Sequence, residues 1–284
     1  MINKVGIVGC GLMGSGIAEV CARKGLSVVV VEADALAVEN GMKRVENSLN
    51  RGLRAKKITE EEFEAARSKI SYETDMGVLG DRDIVIEAVV ENEVAKEEVF
   101  RTLDKVVEGE DAILASNTSS IPIMKLAMST SRPESVVGIH FFNPVPVLPL
   151  VEVVRSLLTS PETEERSIAF VEGTLSKHVV RAKDRAGFIV NALLIPYILS
   201  AVRMFESGFA SAEDIDAGMV EGCAHPMGPL ALADLIGLDT TQAVAQSLYE
   251  EFKEPLYAPP PLLSRMCEAG LLGRKTKRGF YSYS

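Results

Sequence analysis

Lys4-Val5-Gly6-Ile7-Val8-Gly9-Cys10-Gly11-Leu12-Met13-Gly14-Ser15-Gly16-Ile17-Ala18 stands at the start of the chain, and its reading decides the architecture. The apolar run at 4–8 reads as a strand. Residues 12–23 have helical spacing that turns Ile17, Val20 and Cys21 inward. Between the two lies a Gly-x-Gly-x-x-Gly, a pattern that arises often by chance. Here a strand precedes it, a helix follows it, and a second apolar run at 27–31 completes the context within about 30 residues. Gly9 would make the tight turn, Gly11 would let the backbone approach a pyrophosphate, and Gly14 would let helix and strand pack closely. The helix start offers free N–H groups and its positive dipole end to phosphates. Gly9, Gly11, Leu12, Met13 and Gly14 are expected to line a dinucleotide site; the bland alternative is a glycine-rich turn without a ligand.

Glu32 ends the second apolar run, 18 residues past Gly14, where a carboxylate would accept hydrogen bonds from ribose hydroxyls. Ala33 and Asp34 bring no cation for a 2′-phosphate, and a second like charge about 4 Å away costs up to ~4 kcal/mol at an effective dielectric of about 20. NAD is therefore expected over NADP.

Outward from this loop, strand and helix alternate. Strands are expected at 84–88, 112–115, 136–139, 150–154 and 179–182, with helices at 94–107 and 162–175. Helices at 35–53 and 60–69 read as an arm inserted into this unit, joined by a stretch carrying Arg51, Arg54, Lys56 and Lys57. The alternation predicts an α/β fold, a Rossmann-type, doubly wound and mostly parallel sheet covered by helices. After Asp184 no convincing strand appears before the very end. Helices are expected at 188–205, 212–221, 230–251 and 261–269, separated by turn signals such as His225-Pro226-Met227-Gly228-Pro229. The chain thus divides into a nucleotide-binding domain, 1–184, and an all-helical domain, 185–284.

Composition narrows the function. The 284 residues are 47% hydrophobic and 25% charged, which suits large packed cores rather than disorder. Forty acidic against 30 basic residues give a charge of −10, which argues against nucleic acid as a partner but allows a local basic site. The longest apolar stretch, 188–202, falls short of the roughly 20 residues of a membrane span and contains Asn191 and Pro196. Cys10, Cys21, Cys223 and Cys267 are scattered, without metal-ligand spacing, so no metal and a reducing, cytoplasmic compartment are expected.

Ligands of open parallel sheets bind beyond the carboxyl ends of the strands. Two polar segments stand at such ends: Ser116-Asn117-Thr118-Ser119-Ser120 and His140-Phe141-Phe142-Asn143-Pro144. Of three histidines, His178 and His225 read as structural. His140 reads either as a packed core histidine or as the base that takes a hydroxyl proton during hydride transfer, a task suited to an imidazole near neutral pH. Glu152 lies 12 residues later, after a proline-rich reversal that would bring it beside His140. It reads equally as a solvent-facing strand residue.

At these residues the chain resembles the 3-hydroxyacyl-CoA dehydrogenase family, most nearly its bacterial 3-hydroxybutyryl-CoA dehydrogenases. The supporting stretches run in family order: 8–18, Ala115-Ser116-Asn117-Thr118-Ser119-Ser120, 138–146, Gly187-Phe188-Ile189-Val190-Asn191, 226–239 and Gly279-Phe280-Tyr281. The resemblance implies His140 as catalytic base, Glu152 as its paired carboxylate, Ser119 as the hydroxyl touching substrate and nicotinamide, and Asn191 as an amide at the substrate carbonyl. It further implies cofactor contacts from Asn143, Glu91, Lys96 and Lys275. Ser48, with Arg54 and Lys56 of the basic arm, would meet the phosphates of coenzyme A. The arm carries Arg54-Ala55-Lys56 where relatives often place Lys, and Leu148-Pro149-Leu150 replaces their Met-Lys-Leu, which removes a charge.

Two other readings compete with an acyl-CoA dehydrogenase: an enzyme of a free hydroxy or sugar acid, and a non-catalytic NAD-binding protein. The beginning and the terminal Tyr281-Ser282-Tyr283-Ser284 read as a free-standing chain rather than a piece of a multifunctional one. Residues 188–205 are apolar nearly all round, which predicts a homodimer through the segment after 185.

Overall fold

A computed structural model describes residues 2–284. The chain runs through β1 (Lys4–Val8), α1 (Leu12–Arg23), β2 (Ser27–Val31), α2 (Ala35–Arg54), α3 (Glu60–Ser68), β3 (Ile70–Glu73), β4 (Ile84–Glu87) and α4 (Glu93–Val106). It continues with β5 (Ile113–Ser116), α5 (Ile123–Ala127), β6 (Val136–Phe141), β7 (Leu150–Arg155), α6 (Pro161–Ala169) and β8 (His178–Lys183). These elements form one compact unit that ends at Asp184; Arg185–Ser284 form a second.

The eight strands make a single sheet in the order β3-β2-β1-β4-β5-β6-β7-β8. Every neighbouring pair is parallel except β6 and β7. The order reverses on either side of β1, so the loops after β1 and β4 diverge and leave a crevice at their carboxyl ends. Strands β4, β5 and β6 are buried along their whole length, which suits their near-continuous apolar sequence in a sheet covered on both faces. Helix starts are fixed locally. Asp34 accepts the Ala37 N–H at 2.8 Å to start α2, and Thr59 and Glu62 form a reciprocal capping box on α3.

The helices α2 and α3 form the inserted pair that was expected, and they share the core of the first unit. Val45 and Leu49 of α2 and Phe63 and Ala66 of α3 enter the same core as Ile17 and Cys21 of α1. Their other faces and the basic turn at their junction are exposed to solvent. Other expectations need correction. The short strand β3 and the helix α5 had no clear apolar signature; β3 is half exposed, and α5 spans only five residues. The expected helix at 162–175 ends at Ala169 and continues as a π-helical turn, Phe170–Thr174.

The second unit contains α7 (Val190–Glu206), α8 (Ala212–Cys223), α9 (Pro229–Ile236), α10 (Leu238–Phe252) and α11 (Pro261–Glu268). Ile198, Leu199, Val202, Leu230, Leu238, Leu248 and Leu263 fill its core. One helix was expected over 230–251, but Gly237 adopts φ 102° and divides it into α9 and α10. The terminal segment is held by two buried carboxylates. Asp234 accepts the N–H groups of Phe280 and Tyr281 and the Tyr283 hydroxyl at 2.9–3.0 Å. Asp216 accepts the N–H groups of Leu230 and Ala231 at 2.8 Å and the Tyr281 hydroxyl at 2.9 Å. No helix among the described residues is long and apolar enough to cross a membrane.

Candidate active site

The glycine loop has the geometry a dinucleotide needs. Gly9 takes φ 92°, and a side chain there would strike the Ala88 carbonyl. A side chain on Gly14 would overlap the Gly9 carbonyl, so α1 can approach β1 this closely only without one. A Cβ on Gly11 would meet open space, the place where a pyrophosphate would lie. The first turn of α1, with Leu12 and Met13, carries no acidic residue of its own to offset its positive dipole end. Glu32 closes this cradle by accepting hydrogen bonds from the N–H groups of Cys10 and Ala33. These residues fit NAD: backbone N–H groups for its pyrophosphate and a carboxylate for a ribose. One neighbour escaped sequence reading. Arg44, on the face of α2 that packs against α1, places Nη1 3.4 Å from the Cys10 carbonyl oxygen. Its spacing from Gly41 and Ser48 marks that face.

At the far side of the sheet's parallel part, β6 and β7 pair so that His140 lies directly opposite Glu152. His140 Nδ1 is 2.8 Å from Glu152 Oε2. Glu152 is 0% exposed and His140 6%, so the solvent-facing reading of Glu152 is excluded. A carboxylate can only accept at this contact, which puts the ring proton on Nδ1 and the basic lone pair on Nε2. The Phe142 ring packs 4.5 Å from the imidazole, and Asn117 Oδ1 accepts the Phe141 N–H at 2.9 Å, tying the loop after β5 to the end of β6.

That loop is organised by carboxylates from β4 and the segment after it. Glu91 Oε1 accepts from the Thr118 hydroxyl at 2.6 Å, the N–H groups of Ser119 and Ser120 at 2.9 and 3.1 Å, and both serine hydroxyls. Burial pushes the Glu91 carboxyl up, but Lys96 and the Thr118 and Ser119 donors outweigh burial and hold it below its ordinary value. Lys96, 1% exposed, lies 2.5 Å from Glu87 and 3.2 Å from Glu91. Glu87 also accepts the Ser116 hydroxyl at 2.6 Å and the Val89 N–H at 2.7 Å. Lys96 is thus the buried cation that keeps two carboxylates together beneath Ser119. Sequence reading missed Glu87 because it lies inside an apolar strand; a Glu at the end of Ile84-Val85-Ile86, with Lys nine residues on, was the available signal.

Asn143 is exposed at the turn after β6, before a cis Pro144. Ser48 is half-buried on α2, while Arg54 and Lys56 are exposed at its C-terminal end. On the second unit, Asn191 is in the first turn of α7, and Lys275 is paired with both Asp239 carboxylate oxygens at 2.5 Å. His178 begins β8, and His225 Nδ1 lies 3.2 Å from the Tyr197 hydroxyl. Among the described residues, no group of His, Cys, Asp and Glu is arranged to hold a metal ion.

Comparison with known proteins identifies the family. Residues 4–185 match the model of the 3-hydroxyacyl-CoA dehydrogenase NAD binding domain, and residues 187–283 match that of the same family's C-terminal domain. A 3-hydroxybutyryl-CoA dehydrogenase of Mycobacterium tuberculosis is 56% identical over 282 residues, 99% of each chain. The crystal structure of FadB2 from M. tuberculosis superposes with a TM-score of 0.99 at 56% identity, covering 100% of this chain and 99% of that one. The (S)-3-hydroxybutyryl-CoA dehydrogenase PaaH1 from Ralstonia eutropha gives 0.93 at 48% identity, with both chains covered in full.

Proposed function

Because the chain belongs to the 3-hydroxyacyl-CoA dehydrogenase family, we propose that it interconverts (S)-3-hydroxyacyl-CoA and 3-ketoacyl-CoA with NAD as cofactor. 3-Hydroxybutyryl-CoA and acetoacetyl-CoA are the expected pair. The observation that carries this reading is the buried His140–Glu152 contact in a sheet whose first loop is built for a dinucleotide.

In oxidation, His140 Nε2 takes the proton of the 3-hydroxyl group. Glu152 keeps the ring in the required tautomer and offsets the imidazolium charge. When bound, NAD⁺ supplies the acceptor for the hydride from C3. In reduction the imidazolium returns its proton to the former carbonyl oxygen. Ser119, on the loop held by Glu91, is assigned as a donor to that oxygen, for which its hydroxyl would have to turn from Glu91 to the ligand. Asn191 is assigned to the same oxygen by resemblance. Glu91 and Asn143 are assigned to the cofactor, and Lys96 acts through Glu91. Lys275 is a further proposed cofactor contact, which would have to exchange its Asp239 partner for the ligand. Ser48, Arg54 and Lys56 are assigned to the coenzyme A phosphates.

The test is NADH-dependent reduction of acetoacetyl-CoA beside longer 3-ketoacyl-CoAs and free acetoacetate. Turnover of the CoA thioesters supports the reading, and turnover of the free acid alone overturns it. Comparable kcat/KM for NADPH and NADH would refute the role assigned to Glu32.

Homodimerisation through the second unit belongs to the same proposal. It is supported by α7, which exposes Leu193 at 72%. Light scattering showing a monomer at micromolar concentration would contradict it. A cytoplasmic location is supported by four unpaired thiols; cell fractionation tests it.

A further inference from the structure

Ser119 stands on a loop that two carboxylates hold from opposite ends. Glu91 binds residues 118–120 at one end. At the other end the loop passes through Ile121 and Pro122 into α5, a helix of only five residues. So short a helix has little stability of its own, and its first N–H groups have no acceptor within it. Pro122 precedes it, and a proline side chain cannot cap. The cap comes from Asp184, 60 residues beyond Met124 in the chain. Asp184 Oδ1 accepts the Ile123 N–H at 2.8 Å, and Oδ2 accepts the Met124 N–H at 2.7 Å.

Asp184 is itself fastened to the sheet. It follows β8, and its N–H donates to the Arg155 carbonyl at 3.0 Å, at the end of the strand that carries Glu152. The start of α5 is seated on the neighbouring strand. Ile123 is 0% exposed, and a Cβ on Gly138 of β6 would come within 2.9 Å of its Cδ1. The cap therefore lies beside β6 two residues before His140, and four residues after Ser119. A donor aimed at a reacting oxygen must be held to within about 0.5 Å, and fraying of the first turn of α5 would release the Ser119 backbone from that precision. We propose that Asp184 is a positioning residue for Ser119: by capping α5 from the end of β8, it keeps the Ser119 loop in register with the His140–Glu152 ladder. The proposal rests on the assignment of Ser119 to the substrate oxygen.

The experiment is a double-mutant cycle on kcat and KM for NADH-dependent reduction of acetoacetyl-CoA, with urea unfolding and NADH affinity measured on each variant. The four proteins are wild type, Asp184→Ala, Ser119→Ala and the double variant. Asp184→Ala should lose about 10- to 10²-fold in kcat, as expected for a misplaced donor, with NADH affinity intact. In the Ser119→Ala background the same substitution should change kcat by less than about twofold, because the group it positions is gone. Its effect on unfolding should be equal in the two backgrounds. Asp184→Asn keeps one acceptor and should fall between wild type and Asp184→Ala; it carries the same cycle if Asp184→Ala does not fold. An equal loss of kcat in both backgrounds would make Asp184 part of the scaffold and overturn the proposal, as would an unchanged kcat in Asp184→Ala. A wild-type kcat in Ser119→Ala overturns the assignment of Ser119 instead, and the proposal with it.

Discussion

His140 on β6 stands directly across the antiparallel ladder from Glu152 on β7, with Nδ1 2.8 Å from Oε2. Position i opposite position j in one ladder is rigid, so the imidazole is aimed by the sheet itself rather than by a mobile loop. The one antiparallel pair in the sheet is the pair that carries this contact.

Replacing Glu152 by Gln retains the volume but removes the charge and the demand for an Nδ1 proton. We expect kcat to fall by about 10²–10⁴-fold, the range of general acid–base catalysis, with little change in NADH affinity measured by fluorescence. A raised KM with intact kcat would instead assign Glu152 to the scaffold.

Lys96→Ala leaves Glu87, fully buried on β4, without its cation. Breaking a buried ion pair by removing one partner costs about 3–5 kcal/mol. Urea unfolding should register that loss. A change within about 0.5 kcal/mol would show that the pair is stabilised by other contacts.

The acid side of stability carries the signature of Glu91. Its folded value lies below the ordinary 4.5, so its contribution is complete above that pH and is lost as pH falls through the lowered value. Wild type should therefore lose its advantage over Glu91→Gln as pH drops below 4.5. A difference in unfolding free energy that stays constant with pH would contradict this.

Asp234 accepts three donors from the terminal segment, two N–H groups and the Tyr283 hydroxyl. An Asn there can accept at only one atom. Asp234→Asn should destabilise the protein by at least about 2 kcal/mol and increase proteolysis of the terminus. An unchanged melting temperature would mean that the segment is held by its packing alone.

Much of this was legible before the structure. The strand, glycine loop and helix from Lys4 to Arg23 follow from period and turn chemistry, and the change of pattern at 184 follows from the loss of alternating strands. What escaped depends on partners distant in sequence. Strand β3 exposes alternate residues and gains its identity only by pairing with β2. Gly237 looked tolerable inside an apolar helical run, yet its φ of 102° ends one helix and starts another. Glu87 was invisible because its value lies in Lys96 and Ser116, which only the fold brings to it. His140 and Glu152 were both visible, but whether the carboxylate faced solvent or the imidazole depended on a register no local pattern specifies.

The most direct test of the account is kcat for NADH-dependent acetoacetyl-CoA reduction by His140→Ala, measured beside its affinity for NADH. The account predicts a loss of about 10²–10⁴-fold in kcat with NADH binding intact. An unimpaired kcat would remove His140 from the chemistry and contradict the proposed mechanism.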